Sequence, residues 1–243
     1  ADEPYILDIT ADDYYKLYIN GHFVGQGPAP SNPSHYAYNR YDVGDYLRVG
    51  QNTVAVHVYY QGLINRVWTS GDYRQGLIAE LRVGDEVLLA TDEHWRYVRA
   101  EEFVTDGTYG YDTQFKEHID SRLERKGWRE PSYDASTWLP VHVHPDPDYR
   151  LVLQDTPPVD VYELAPTQVE WRGDGHVFVD MGQEITGQFT LTASGPAGSR
   201  VRILCGEELW EDQRVRSELR CNCSYDEIWT LSGEVDVLEH YDY

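Results

Sequence analysis

Five acids near the C-terminal end, Asp180, Glu184, Glu207, Glu208 and Glu211, come closest to a chemical constellation. A pair of carboxyls cleaves a glycosidic bond when about 5–5.5 Å apart for retention or about 6.5–9.5 Å apart for inversion. Glu207 and Glu208 are neighbours, so on a strand they point to opposite faces and cannot form such a pair together. Asp180 and Glu184 flank the turn-prone Gly182, which leaves their separation open. With 42 acidic residues in 243, some spacing always looks suggestive, and the acids alone do not define a catalytic centre. No G-x-S-x-G nucleophile elbow occurs, and no cysteine sits in a catalytic signature.

Other chemistries have thinner support. His142-x-His144 would put two imidazoles on one face of a strand, but two ligands do not make a zinc site. The three cysteines, Cys205, Cys221 and Cys223, are an odd number and lack C-x₂-C spacing, which suggests reduced thiols and favours a cytoplasmic compartment. Asn222-Cys223-Ser224 fits the glycosylation acceptor pattern. Abundant Asp and Asn in turns suit a structural calcium ion with its six to eight oxygens, although no EF-hand loop occurs and no ligands can be named. No other cofactor is indicated.

Carbohydrate contact has the fullest set of candidates. The aromatic and polar loops 31–42, 59–76 and 106–115 hold Tyr36, Tyr38, Trp68, Tyr73 and Tyr111 as stacking faces. Asn65, Arg66, Asp72 and Asp112 in the same loops could bond hydroxyls. Long loops between short strands gather at functional rims. The same aromatics could instead cap a sandwich or pack on another domain, since exposed aromatic patches mark interfaces of every kind.

Strands must position these residues. "YILDIT", "YKLYI", "HFVGQG", "TVAVHVYY", "QGLIAELRV" and "EVLLAT" are short, β-branched or aromatic, and divided by turn residues. Asn20-Gly21 between alternating runs predicts a type I′ hairpin, with Tyr15, Leu17 and Ile19 buried and Tyr14, Lys16 and Tyr18 opposite. That hairpin reads as scaffold, leaving its turn residues and Gln26 free. Residues 113–127 lack a clean apolar stripe and read as extended or a short helix. Four prolines within 145–158 suit an exposed connector, which splits the chain into 1–155 and 156–243. A second β region follows at 176–182, 187–195, 200–209 and 226–233, with "SGPAGS" as a hairpin-type connection. Regular short strands with turn chemistry predict an all-β protein of two consecutive sandwiches.

Net charge is −22, with 20 bases and no basic cluster, which repels a polyanion and argues against nucleic acid. No stretch approaches the ~18 apolar residues of a membrane span, and no signal peptide is evident. The chain opens almost directly on a strand and closes on "EVDVLEHYDY" in mid-pattern. The second sandwich is therefore expected to be incomplete, with exposed edges that invite association.

"ITADDYYKLYINGHFVGQGP", "YDVGDYLRVGQNTVAVHVYY", "TDEHWRYV" and "GWREPSYDASTWLPV" resemble the β-sandwich, galactose-binding-like in type, near the start of bacterial α-L-rhamnosidases. "FVDMGQEITGQFTLTASGPAGSRVRILCGEEL", "YDEIWTLSGE" and "EHYDY" resemble the concanavalin-like sandwich that follows it. The ordered series is specific, whereas any one piece is not. The resemblance implies a parent glycoside hydrolase that removes rhamnose from glycosides by inversion. Its acid and base would lie in an (α/α)₆ barrel outside this chain, so no catalytic residue carries over. This region would buttress that barrel and contact sugar. A lectin-like module and a small glycosidase with its own carboxyl pair are the alternatives.

Overall fold

The computed structural model describes residues 3–30, 34–62, 75–110, 114–144, 150–220 and 223–241. The strands run β1 (Tyr5–Asp12), β2 (Tyr14–Ile19), β3 (His22–Gly27), β4 (His35–Asp42), β5 (Val54–Tyr59), β6 (Gly76–Val83) and β7 (Glu86–Ala90). Next come β8 (Arg96–Tyr97), β9 (Thr108–Tyr109), β10 (Gln114–Phe115), β11 (Ile119–Asp120), β12 (Leu139–Pro140) and β13 (Arg150–Leu153). The last six are β14 (Gln168–Trp171), β15 (Val177–Asp180), β16 (Thr190–Ser194), β17 (Arg200–Leu204), β18 (Asp226–Thr230) and β19 (Val235–Glu239). The protein is all-β, and it divides into two compact units that are not consecutive in sequence. Unit 1 is Ala1–Arg99 with Arg125–Val159, and unit 2 is Ala100–Glu124 with Asp160–Tyr243.

Unit 1 is a sandwich of a five-stranded sheet, β13-β4-β1-β6-β7, and a three-stranded sheet, β3-β2-β5. Alternation along each strand sends Leu7, Ile9 and Ala11 of β1 and Ala79 and Leu81 of β6 inward. They meet Tyr15, Leu17 and Ile19 of β2, with Val54, Val56 and Val58 of β5 packed alongside. Asn20 (φ 52°) and Gly21 (φ 86°) form the left-handed corner that the sequence demands between β2 and β3.

The hairpin departs from expectation on its outer face. Lys16 and Tyr18 are buried as well, and residues 128–129 lie over Tyr18. The Trp128 ring meets Tyr18 edge-on at 5.6 Å and His57 at 6.0 Å, and the Arg129 guanidinium sits 4.1 Å over Tyr18. Burial, then the charges of Lys16 and Arg129, push the His57 imidazole down to about 3. The turn is not free either. Asn20 Nδ2 donates to Tyr46 O and Asn52 Oδ1, and a Cβ on Gly21 would run into Glu130.

In unit 2 the sheet β11-β18-β17 faces the pair β16-β19. Ile119, Trp229, Leu231 and Leu238 fill the space between, with Phe103, Phe189, Leu191, Ala193, Val201 and Ile203 packed around them. "SGPAGS" is not a hairpin turn. β16 pairs with β19 while β17 pairs with β18, so this link crosses from one layer to the other. Residues 113–127 contain no helix among the described residues; β10, β11 and turns occupy them.

Candidate functional site

Among the described residues, two places gather buried titratable groups. The first is the joint between β1 and β2, where a single residue, Asp13, separates strands of opposing sheets. Asp13 N donates to Tyr59 O, and Asp13 Oδ2 accepts the Gln61 N–H at 2.6 Å. Burial raises the Asp13 carboxyl to about 6, helped by the hydrogen bond and charge of Asp12 and opposed by the Gln61 and Gly62 backbone. Asp12 and Gln61 are themselves buried, and the Tyr14 and Tyr59 rings lie 5.0 Å apart nearby. A carboxyl held near neutrality beside a second one can accept sugar hydroxyls or, once ionised, supply oxygens to a hard cation. The sequence signal was present in "TADDYY", but adjacent acids in so acidic a chain carry no mark of burial.

The predicted sugar contacts divide by placement. Tyr36 on β4 is only 6% exposed and offers little ring surface. Tyr38 is half-buried, with the Arg40 guanidinium 5.8 Å from its ring centroid and anchored to Asp8 by Nε and Nη2. Asn65, Arg66, Trp68, Asp72, Tyr73, Tyr111 and Asp112 lie outside the described residues.

The second place is the interior of unit 2. Glu227 Oε1 accepts Tyr109 Oη–H at 2.7 Å and Glu117 N–H at 3.0 Å, and Oε2 meets His240 Nε2. Glu117 Oε2 in turn accepts the Tyr241 N–H at 2.6 Å. Burial pushes Glu227 up, but the His240 and Tyr109 contacts and the Glu117 N–H outweigh it and hold the carboxyl below its ordinary value. The Cys205 thiol is raised to about 11 by burial and then by the Glu227 charge, which keeps it a protonated, poor nucleophile. This network stitches buried backbone and side chains together.

The five acids singled out by sequence do not converge with it. Asp180 Oδ1 caps the Gly182 N–H, Glu208 pairs with Arg216 at 2.6 Å, and Glu184, Glu207 and Glu211 are exposed. Glu207 and Glu208 lie in a bend rather than a strand, so strand alternation does not govern them. His142 and His144 are likewise exposed and off any strand. Among the described residues Asp92, Glu93 and His94 can bring three ligand atoms within 4.8 Å, but His94 Nδ1 already lies 3.2 Å from Asp92. Cys205 is a free thiol; Cys221 and Asn222 lie outside the described residues. No helix among the described residues is long and apolar enough to cross a membrane.

Residues 5–163 match the α-L-rhamnosidase N-terminal domain, and residues 171–241 match the bacterial α-L-rhamnosidase concanavalin-like domain. The chain belongs to the bacterial α-L-rhamnosidase family. It is 28% identical over 242 residues to an α-L-rhamnosidase of Streptomyces avermitilis, covering 94% of this chain and 23% of that protein. An α-L-rhamnosidase of Formosa agariphila is 27% identical over 83% of this chain and 22% of its own length. Among solved structures, the Streptomyces avermitilis enzyme complexed with L-rhamnose superposes with a TM-score of 0.74 at 27% identity, over 97% of this chain and 24% of that one. The Aspergillus terreus enzyme gives 0.74 at 29% identity, over 98% and 29%. The chain thus spans about a quarter of the length of its relatives.

Proposed function

We propose that this chain is the non-catalytic β region of an enzyme that removes terminal rhamnose from glycosides, and that it supports a catalytic portion lying outside it. The observation that carries this reading is the paired, ordered match to both β domains over a chain spanning 23% of its relative. Two features support it. The candidate acids of unit 2 are exposed or tied to Arg216 and Gly182 rather than to each other. And the β14-β15 ribbon turns four apolar side chains to solvent, Val169 (55% exposed), Trp171 (76%), Val177 (38%) and Val179 (45%). Its other face carries Glu170, Phe178 and Arg172, and Arg172 Nη1 donates to Gln213 O at 2.6 Å. A two-stranded ribbon with one apolar face bare suits a neighbouring domain.

Sugar contact by unit 1 is the second reading, favoured by the raised Asp13 carboxyl beside Asp12 and Gln61. Turnover of 4-nitrophenyl α-L-rhamnopyranoside tests the first reading, and calorimetric titration with L-rhamnose the second. We expect no hydrolysis above buffer by the chain alone; hydrolysis abolished by Glu184→Gln or Glu207→Gln would overturn the support role. Heat of rhamnose binding lost in Asp13→Ala would establish the second reading, and no heat in the unmodified chain would remove it.

A further inference from the structure

Residues 100–124 lie inside the span matched by the N-terminal family domain, yet they fold with unit 2. The chain therefore passes from unit 1 into unit 2, back again, and forward a second time near 160. The returning segment is not draped over unit 2. Ile119 is 6% exposed and sits in the core beside Trp229, in a parallel pairing of β11 with β18. Ser121 N–H donates to Thr230 O at 2.9 Å, and Trp229 Nε1 donates to Ser121 Oγ at 2.8 Å. Ile228 N–H donates to His118 Nδ1 at 3.0 Å. Tyr109 and Glu117 hold Glu227 from the same segment, and Glu117 also holds the Tyr241 N–H, as described above. Phe103 bridges to Ile119 and adds its ring to the core.

Taken away, this segment would leave β18 with an open edge, Trp229 with an unmade indole hydrogen bond, and Glu227 without its phenol and amide donors. Each of those groups is buried, and a buried polar group without a partner costs about 1–3 kcal/mol. An exposed strand edge beside an apolar socket is the arrangement that captures an extended peptide by strand addition.

We propose that the C-terminal half of the chain is a strand acceptor whose obligatory ligand is the 100–124 segment of the N-terminal half, so that the two family domains are interlocked rather than joined by a linker alone. Residues 160–241 bind this segment through the β18 edge, the Ile119 socket and the Glu227 donors. Cutting the exposed connector then does not free one half from the other.

The test uses the whole chain with a specific protease site placed at 160–164 and cleaved after folding. The two pieces are expected to co-elute under native conditions and to separate only in denaturant. Separation in native buffer would overturn the interlock. Ile119→Asp in the same cleavable chain is expected to release the C-terminal piece; continued co-elution would mean that other contacts hold the halves, and would also overturn it. Because Ile119→Asp could act by unfolding, the milder Ser121→Ala is measured beside it. Loss of the indole bond should speed dissociation of the pieces about 5-fold, the equivalent of ~1 kcal/mol. An unchanged rate would contradict the assignment. Hydrogen exchange on the uncut Ile119→Asp chain adds an independent reading. Protection should fall in β16–β19 and persist in β1 and β6, and loss in β1 and β6 instead would assign the segment to unit 1.

Discussion

The two units cover their sheets differently. In unit 1 the strand β2 is buried on both faces, by the sandwich core on one side and by Trp128 and Arg129 on the other. In unit 2 the ribbon β14-β15 uses one face and leaves the other, with Trp171 and three valines, in water. Unit 1 covers both faces of β2 with its own chain, down to a buried lysine, although Val87, Leu151 and Leu153 on its other strands stay exposed. Unit 2 spends its polar groups on internal stitching around Glu227 and keeps an apolar face uncovered. On the support role proposed above, a neighbouring domain would cover this ribbon.

The largest break in this comparison would come from the core of unit 2. Trp229 is fully buried and bonded to Ser121, so Trp229→Ala should cost about 3–5 kcal/mol. Denaturant melts followed by hydrogen exchange should show unit 2 unfolding while β1, β2 and β6 stay protected. Loss of both units together would erase the distinction. Next is the cover on unit 1. Trp128→Ala removes two edge-on ring contacts and opens Tyr18 and His57 to water, for about 2 kcal/mol. A melt within error of the parent would mean the outer face needs no cover.

A smaller effect has a definite sign with pH. The Asp13 carboxyl titrates near 3.8 when unfolded and about 6 when folded, so its charged form is disfavoured in the fold. The folded state gains from a protonated Asp13 below about pH 4 and loses that gain as pH rises through 6. Asp13→Asn should therefore be the more stable chain at pH 8, by on the order of 1 kcal/mol after solvent screening, with the gap closing toward pH 4. Equal melting temperatures at pH 8 would remove the burial argument. The smallest effect on stability falls on the ribbon. Trp171→Glu with Val179→Glu should change the melt by no more than about 0.5 kcal/mol, because both side chains are exposed. Concentration-dependent association, measured by light scattering, should be weaker in this variant than in the unmodified chain. Association that persists would place the sticky surface elsewhere.

The strands were legible because their alternation is local. Val54, Val56 and Val58 share a face in "TVAVHVYY", and Asn20-Gly21 needs a left-handed corner whatever surrounds it. Pairing was less legible. "SGPAGS" has hairpin chemistry, yet the strands it joins belong to different layers, since register depends on partners far along the chain. The cover on Tyr18 comes from Trp128, about 110 residues on, beyond any periodicity window. The Glu227 network escaped for the same reason. Its members Tyr109, Glu117, His240 and Tyr241 are scattered over the sequence and become a cluster only when residues 100–124 fold with unit 2. Asp13 looked like one acid among 42 until its burial was known.

Hydrogen exchange across the whole unmodified chain compares the two regions in one measurement. Amides of β1, β2 and β6 should exchange only through global opening of unit 1, while those of β14 and β15 should exchange several orders of magnitude faster, as expected for a ribbon with a bare apolar face. Equal, slow exchange in the ribbon would contradict the account, because a sheet already that stable has no need of a neighbour to cover it.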